Sequence, residues 1–357
     1  MSPAVDTGPV DMTFFNVIDL NPNRRETIND ATFLEMITQN PKLCSRKYQF
    51  PSSFDGDWLY PLHVICALNA SLDTVKACYK AYPDAILHHS VSIGGPIHYA
   101  CYFGASLDVV MYLAKKDTNS LLQSNIAEGK TPLHLVCSSC DTDAKRRLEI
   151  VCFLTERCPK AVEMTDINGY TPVNIICTLL HENAPDQEIL NIVEDLTEVC
   201  PAAGIIKAKD NTWPLWNALN CVNDIHVSFN AIVKDLIVSN IESTTLLYQT
   251  EEEEEYNDCG TSILHRAIQM DSPMSIIKDI LRANPKACVT KDTKGRIPLF
   301  YLLTEKTSPS LGIIQALVSK SPETIDYVYD NEIPHVCAQR LKLSDDIVSF
   351  LNPYEED

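Results

Sequence analysis

The sequence predicts an all-α chain built from tandem helix-turn-helix repeats. Three observations predict it. A four-residue signature, usually with proline second, recurs eight times in the 357 residues. A later proline marks most units. The interval from that proline to the next signature is 13 residues in four units and 12 in a fifth, whereas the interval before it drifts from 22 to 29. A fixed connector alternating with an elastic one fits a repeat whose neighbours stack in register.

The signatures run Tyr60-Pro61-Leu62-His63, Gly95-Pro96-Ile97-His98, Thr131-Pro132-Leu133-His134 and Thr171-Pro172-Val173-Asn174. They continue as Trp213-Pro214-Leu215-Trp216, Ser262-Ile263-Leu264-His265, Ile297-Pro298-Leu299-Phe300 and Ile333-Pro334-His335-Val336. Proline suits the first helical position, because its missing N–H has no partner there and its φ is preset. Thr131, Thr171 and Ser262 stand where an N-cap hydroxyl is wanted. A short helix is therefore predicted at each signature, with Leu62 and Ile65, Ile97 and Ala100, Leu133 and Val136, or Val173 and Ile176 facing inward. A second helix follows in each unit, carrying Val75 and Cys78, Val110 and Leu113, Val151 and Leu154, Val193 and Leu196, Ile277 and Ile280, or Ile314 and Leu317. Apolar residues three apart give each such helix one buried stripe.

The later prolines, Pro83, Pro159, Pro201, Pro285 and Pro322, end the second helix, because proline drives the preceding residue out of the helical region. The fixed connector carries turn chemistry, as in Asp166-Ile167-Asn168-Gly169 and Asp292-Thr293-Lys294-Gly295. Pro41 is a further copy, preceded by Phe33, Leu34 and Ile37 on a predicted helix.

Helix, helix, tight turn, with the signature opening the next helix, resembles the ankyrin repeat. The string Thr131-Pro132-Leu133-His134 is the closest copy, and the phased series spans roughly residues 58–345. The resemblance implies an ankyrin-type solenoid of antiparallel helix pairs joined by hairpin-like loops. Its binding face would be built from those loops and the first helices. Expected limits are a polar, flexible segment at 1–29, a repeat array at 30–351 and an acidic tail at 352–357. The array holds a truncated unit at 30–45 and repeats starting near 58, 93, 129, 169, 211, 260, 295 and 331. HEAT or armadillo units, at about 40–47 residues, fit the two middle spacings but not the shorter ones or the turn-plus-proline connector.

Charge narrows the partners. The chain carries 29 Lys and Arg against 48 Asp and Glu, a formal charge of −19, so it lacks the basic balance of a general nucleic-acid binder. No apolar run approaches a membrane span, and residues 1–10 lack the basic and apolar regions of a signal peptide. An intracellular protein, cytoplasmic or nuclear, is expected. Its fourteen cysteines are too sparse for a small disulfide framework, and Cys66, Cys101, Cys137 and Cys177 share one repeat position. They read as packing residues. Cys137 and Cys140 form the only Cys-x-x-Cys string considered as a metal or redox site, and it lacks a second pair.

His63, His98, His134 and His265 share one signature position, filled elsewhere by Asn174, Trp216, Phe300 and Val336. A catalytic or metal-binding histidine would not recur once per repeat, replaceable by phenylalanine. The ankyrin resemblance implies a structural hydrogen bond between adjacent turns, supported by Thr131 and Thr171. No phosphate loop, nucleophile elbow or zinc-protease helix is present. The reading is a non-catalytic protein-binding module with no cofactor. Alternatives are a self-associating scaffold and a repeat protein with an acquired metal or hydrolytic site. Candidate contact residues are Trp58, Tyr60, Tyr170 and Trp213, near the connector ends. Glu251, Glu252, Glu253, Glu254 and Glu255 form an acidic run in the longest unit, suited to a partner with a basic surface. Insertions are expected between paired helices at Asp141–Arg147 and His181–Gln187.

Overall fold

The structure is a computed structural model. It describes residues 11–24, 26–50, 54, 56–139, 143–179, 187–220, 227–239 and 262–352. Its residues divide into two compact units, 1–179 and 180–357. Among the described residues there are eighteen α-helices and one two-stranded sheet. No described helix is long and apolar enough to cross a membrane.

The first unit opens with α1 (Met12–Ile18) and α2 (Asp30–Gln39). Asp11 caps α1, accepting from the N–H groups of Thr13 and Phe14. Phe14 and Ile18 are fully buried, and Phe14 packs on Phe33 and Tyr48 at ring-centroid distances of 5.5 and 5.6 Å. Within the segment at 1–29 expected to be flexible, residues 12–18 are instead helical, with Phe14 and Ile18 drawn into the core of the first unit, while residues 1–10 and 25 lie outside the described residues. Two short strands, β1 (Tyr48–Gln49) and β2 (Trp58–Leu59), then pair antiparallel. Helix pairs follow: α3 (Pro61–Ala67) with α4 (Leu72–Ala81), α5 (Pro96–Tyr102) with α6 (Leu107–Lys116), and α7 (Pro132–Ser138) with α8 (Ala144–Arg157). Helix α9 (Pro172–Leu179) is the last element of this unit.

The second unit repeats the plan. It holds α10 (Gln187–Val199), α11 (Pro214–Asn220) with α12 (Val227–Ser239), and α13 (Ile263–Gln269) with α14 (Met274–Ala283). It ends with α15 (Pro298–Glu305) with α16 (Leu311–Lys320), and α17 (Pro334–Arg340) with α18 (Asp345–Phe350). The first helices stack in series within each unit, as do the second helices. These are ankyrin-type repeats, and their apolar pairs are buried as the periodicity predicts, from Leu62 and Ile65 to Ile314 and Leu317.

Two local features refine the sequence reading. Each later proline does more than stop a helix: it opens a 3-10 turn, as at Pro83–Leu87, Pro159–Val162, Pro201–Ile205 and Pro285–Val289. The residue before it is extended, with φ between −149° and −140° in Asn40, Tyr82, Cys158, Cys200, Asn284 and Ser321. A following proline favours that geometry by disfavouring the helical region, and Asp117, at φ −137° before Thr118, adopts it without one. Ala85, Ala161, Ala203 and Ala287, two places after the proline, are buried where the turn meets the helices. The expected insertion at Asp141–Arg147 is also corrected in part. Residues 144–147 extend α8, whose first turn is capped by Asp143. Residues 141–142 and 181–186 lie outside the described residues.

The connectors end in hairpins closed by backbone bonds. Ser90 donates to Gly94, Asn125 to Lys130, Asp166 to Tyr170, Ala208 to Thr212 and Asp292 to Arg296, all at 2.9–3.0 Å. Each needs a residue at positive φ, supplied by Gly94, Gly129, Gly169, Asn211 and Gly295. Gly129 also needs its missing side chain. A Cβ there would stand 2.9 Å from the Ile167 nitrogen of the next hairpin, whereas at Gly295 the nearest atom is 4.0 Å away. Gly129→Ala is therefore expected to destabilise the chain more than Gly295→Ala, whose cost is the left-handed strain of about 1–2 kcal/mol. Thermal melts of the two variants check the order.

Candidate interaction surface

The signature builds each hairpin's foundation. His134 sits at the third position of α7 and is fully buried. Its Nε2 lies 3.1 Å from the carbonyl oxygen of Tyr170 in the next hairpin. A carbonyl only accepts, so Nε2 carries the proton and Nδ1 is an acceptor. Nδ1 receives the Thr131 hydroxyl at 2.7 Å and the Thr131 N–H at 3.3 Å. The same oxygen of Tyr170 accepts the hairpin-closing N–H of Asp166. Asp166 Oδ1 in turn accepts from the N–H groups of Asn168 and Tyr170. One imidazole thus ties a helix start to the next repeat's turn.

The second unit repeats the two bonds of the imidazole. His265 donates through Nε2 to the Arg296 carbonyl at 3.1 Å and accepts the Ser262 hydroxyl on Nδ1 at 2.7 Å. Asp292 closes and caps that hairpin. His98 donates to the Gln123 carbonyl at 2.8 Å, with the Gly95 N–H on Nδ1. His63 donates to the His88 carbonyl at 2.9 Å, but its Nδ1 is buried without a hydrogen-bond partner. Tyr60, in the capping place there, makes no side-chain cap bond. Thr171 takes the N–H of Asn174 at 3.2 Å, so its capping role survives where the histidine is replaced.

Burial pushes all four imidazoles down, His63 to about 3 and His98, His134 and His265 to about 4. Each is neutral in the fold and unavailable as a proton shuttle near neutrality. Backbone bonds also link neighbouring hairpins of the first unit. Ala127 N–H donates to the Val91 carbonyl and Ile167 N–H to the Glu128 carbonyl, at 3.2 and 2.9 Å. Asn125 Nδ2 donates to the Ser92 carbonyl at 2.9 Å, and Ser92 N–H to Asp57 Oδ2 at 3.2 Å. The tips form a continuous, cross-bonded edge.

The predicted contact aromatics separate on this frame. Trp58 is 46 % exposed, at the start of the tip edge. Tyr170 is half-buried and contributes mainly its carbonyl. Tyr60 and Trp213 are corrected to packing residues. Tyr60 is enclosed by Tyr82 and His88, with Lys47 over its ring, and Trp213 is buried with Lys207 above it. Trp216 is buried under Arg266. Glu251–Glu255 and Cys140 lie outside the described residues. Cys137 is buried in α7, and among the described residues no group of three metal-binding side chains converges. The sequence reading missed Val91, Ile126 and Ile167, exposed by 60, 70 and 50 %. Their signal was position, each directly following the hairpin's closing residue. At the far end of the first helices, a cavity of about 280 Å³ lies beside Asn69, Phe103 and Ser139, where Arg146 donates to the Gly104 carbonyl.

No protein-family model matches the chain, and no curated protein matches it in sequence. Among solved structures, the chain is similar to an ankyrin repeat protein from Leishmania major. The identity is 15 % and the TM-score 0.45, over 81 % of this chain and 97 % of that one. It is also similar to a chain from the complex of a predatory endopeptidase of Bdellovibrio bacteriovorus with an immunity protein. There the identity is 14 % and the TM-score 0.42, over 62 % of this chain and 97 % of the other. The repeat class rests on the chain's own signatures, histidine bonds and hairpins.

Two outcomes follow from the dry, neutral histidines. Thr131→Val removes both the cap and the hydroxyl on His134, and is expected to cost roughly 1–2 kcal/mol in urea unfolding. The folded imidazoles titrate below the unfolded value of about 6.5, so only the unfolded chain takes up protons between the two. Stability is full above pH ~7 and falls as pH drops toward 4, by about 1.4 kcal/mol per pH unit for each histidine. Urea midpoints measured against pH read this slope, and His98→Asn should reduce it by about one proton.

Proposed function

We propose that the chain is a non-catalytic protein-binding module, engaging its partner through hairpin tips and the adjoining first helices. The carrying observation is the cross-bonded tip edge of the first unit, a firm support for exposed side chains. The repeated imidazoles, by contrast, are buried and neutral and serve as links. Binding surfaces gain affinity when they are ordered before the partner arrives. Trp58 and the half-buried Tyr170 are the aromatic contact candidates. Glu251–Glu255 would add charge steering toward a basic partner.

Affinity purification of the full chain with mass spectrometry tests this. The expected result is recovery of a protein partner in near-stoichiometric amount. A chain that retains no protein but turns over a substrate overturns the reading. Replacing Glu251–Glu255 by glutamine should slow association with a basic partner and weaken its dependence on salt, with little change in dissociation. Unchanged kinetics would remove the acidic run from the function.

A further inference from the structure

One buried contact in the first unit joins two thiols. Cys44 lies in the 3-10 turn Pro41–Ser45 that follows α2, and Cys78 lies in α4. Each is 1 % exposed, and their Sγ atoms stand 3.7 Å apart. Both are free cysteines.

The other repeats show that packing alone does not call for sulfur at this contact. Cys44 is the fourth residue of its 3-10 turn. The later turns place Ile86, Leu121, Val162, Gly204, Cys288 and Ile325 there. Cys78 stands five residues before the turn that ends its helix, a place held elsewhere by Met36, Leu113, Leu154, Leu196, Ile280 and Leu317. From one repeat to the next, the two places pair Ile86 with Leu113, Leu121 with Leu154, Val162 with Leu196 and Cys288 with Leu317. Only at the first junction are both cysteine.

The chemistry of such a pair is oxidation. A disulfide has its sulfurs about 2.05 Å apart, so the two side chains must close about 1.6 Å from van der Waals contact. Burial, with the Cys44 sulfur beside it, pushes the Cys78 thiol well up. In the closed fold it is therefore a weak nucleophile, and reaction starts when the turn opens. The turn lies at the leading end of the array, preceded only by α1 and α2. Ends of a stacked array have fewer neighbours than its centre and open at lower cost.

We propose that Cys44 and Cys78 form an oxidation site, at which a hydroperoxide converts the two thiols into a disulfide that staples the truncated leading unit to the first complete repeat. In the opened turn, the Cys44 thiolate attacks one oxygen of hydrogen peroxide. The O–O bond breaks, Cys44 becomes a sulfenic acid, and the departing hydroxide takes a proton and leaves as water. When the turn recloses, Cys78 Sγ attacks the Cys44 sulfur. The S–O bond breaks, the hydroxyl leaves with the Cys78 proton as a second water, and the S–S bond forms. Two electrons pass from the sulfurs to the peroxide. The closed loop holds β1, β2 and α3, so the bond suppresses opening of the leading end.

The test treats the folded, reduced full chain with hydrogen peroxide, blocks the remaining thiols and digests with trypsin without reduction. Cleavage after Lys42, Arg46, Lys76 and Lys80 isolates each cysteine in its own four-residue peptide. The expected product joins Leu43–Arg46 to Ala77–Lys80 with the loss of two hydrogens, and dithiothreitol separates them. Hydrogen exchange should slow across residues 30–78, and the melting temperature should rise by about 5–10 °C. In Cys78→Ser, dimedone should trap the sulfenic acid on Cys44, whereas in Cys44→Ser it should leave Cys78 unlabelled. Should Cys78→Ser unfold, Cys78→Leu, the residue most equivalent places carry, serves instead. Joining only in urea, or pairing of either cysteine with the neighbouring Cys66 or any other thiol, overturns the proposal. So does dimedone labelling of Cys78 rather than Cys44, or a joined pair with no slowing of exchange.

Discussion

The structure depends on a donated proton in a dry place. At His63, His98, His134 and His265, the Nε2–H meets a carbonyl of the following hairpin, and burial keeps the ring neutral. A protonated ring would have to lose its Nδ1 acceptor role and pay the cost of a buried charge. The carbonyl of the next hairpin fixes the tautomer, the tautomer makes Nδ1 an acceptor, and the hydroxyl of Thr131 or Ser262 fills it. Helix start, loop shape and repeat spacing are set together by about a dozen atoms. The apolar stripes supply most of the burial energy, but they are tolerant of sliding. The histidine bond is directional and sets the register.

Much of this was legible because proline and glycine act locally. The helix starts at Pro61, Pro96, Pro132, Pro172 and Pro298 fall where proline is favoured, and Gly169 and Gly295 have the positive φ their turns require. The 3-10 turns were less visible, although alanine two places after Pro83, Pro159, Pro201 and Pro285 marks them. A small residue reports tight packing only once the packing direction is known. The N-terminal helix was missed because its polar neighbours dominate composition, while Phe14 and Ile18 act through distant partners such as Phe33. Side-chain exposure was hardest to read. Tyr60 and Trp213 look like contact aromatics in sequence, yet cations and rings enclose them. Val91, Ile126 and Ile167 look like core residues, yet the turn chemistry of Ser90, Asn125 and Asp166 sets them outward.

The two kinds of connector divide labour. The fixed one holds the 3-10 turn and hairpin, and its length is constrained at both ends by bonds to neighbouring repeats. The elastic one joins two helices of the same repeat. In α8 its extra residues lengthen the helix to 14, against 10 in α4 and α6. Adding a turn to a helix leaves the hairpin edge undisturbed, because the helix grows away from it. Charge is divided too, with the acidic excess gathered in the residues of the second unit.

The extended residue before each later proline has a consequence for folding order. Asn40, Tyr82, Cys158, Cys200, Asn284 and Ser321 occupy the region that proline already favours in an unstructured chain. The corner is therefore favoured before any repeat has assembled. As the chain leaves the ribosome, each second helix that such a proline follows meets a stop favoured in advance, and the turn leading to the next repeat starts from a restricted ensemble. The loss of freedom at these corners is incurred when the sequence is written, not when the protein folds.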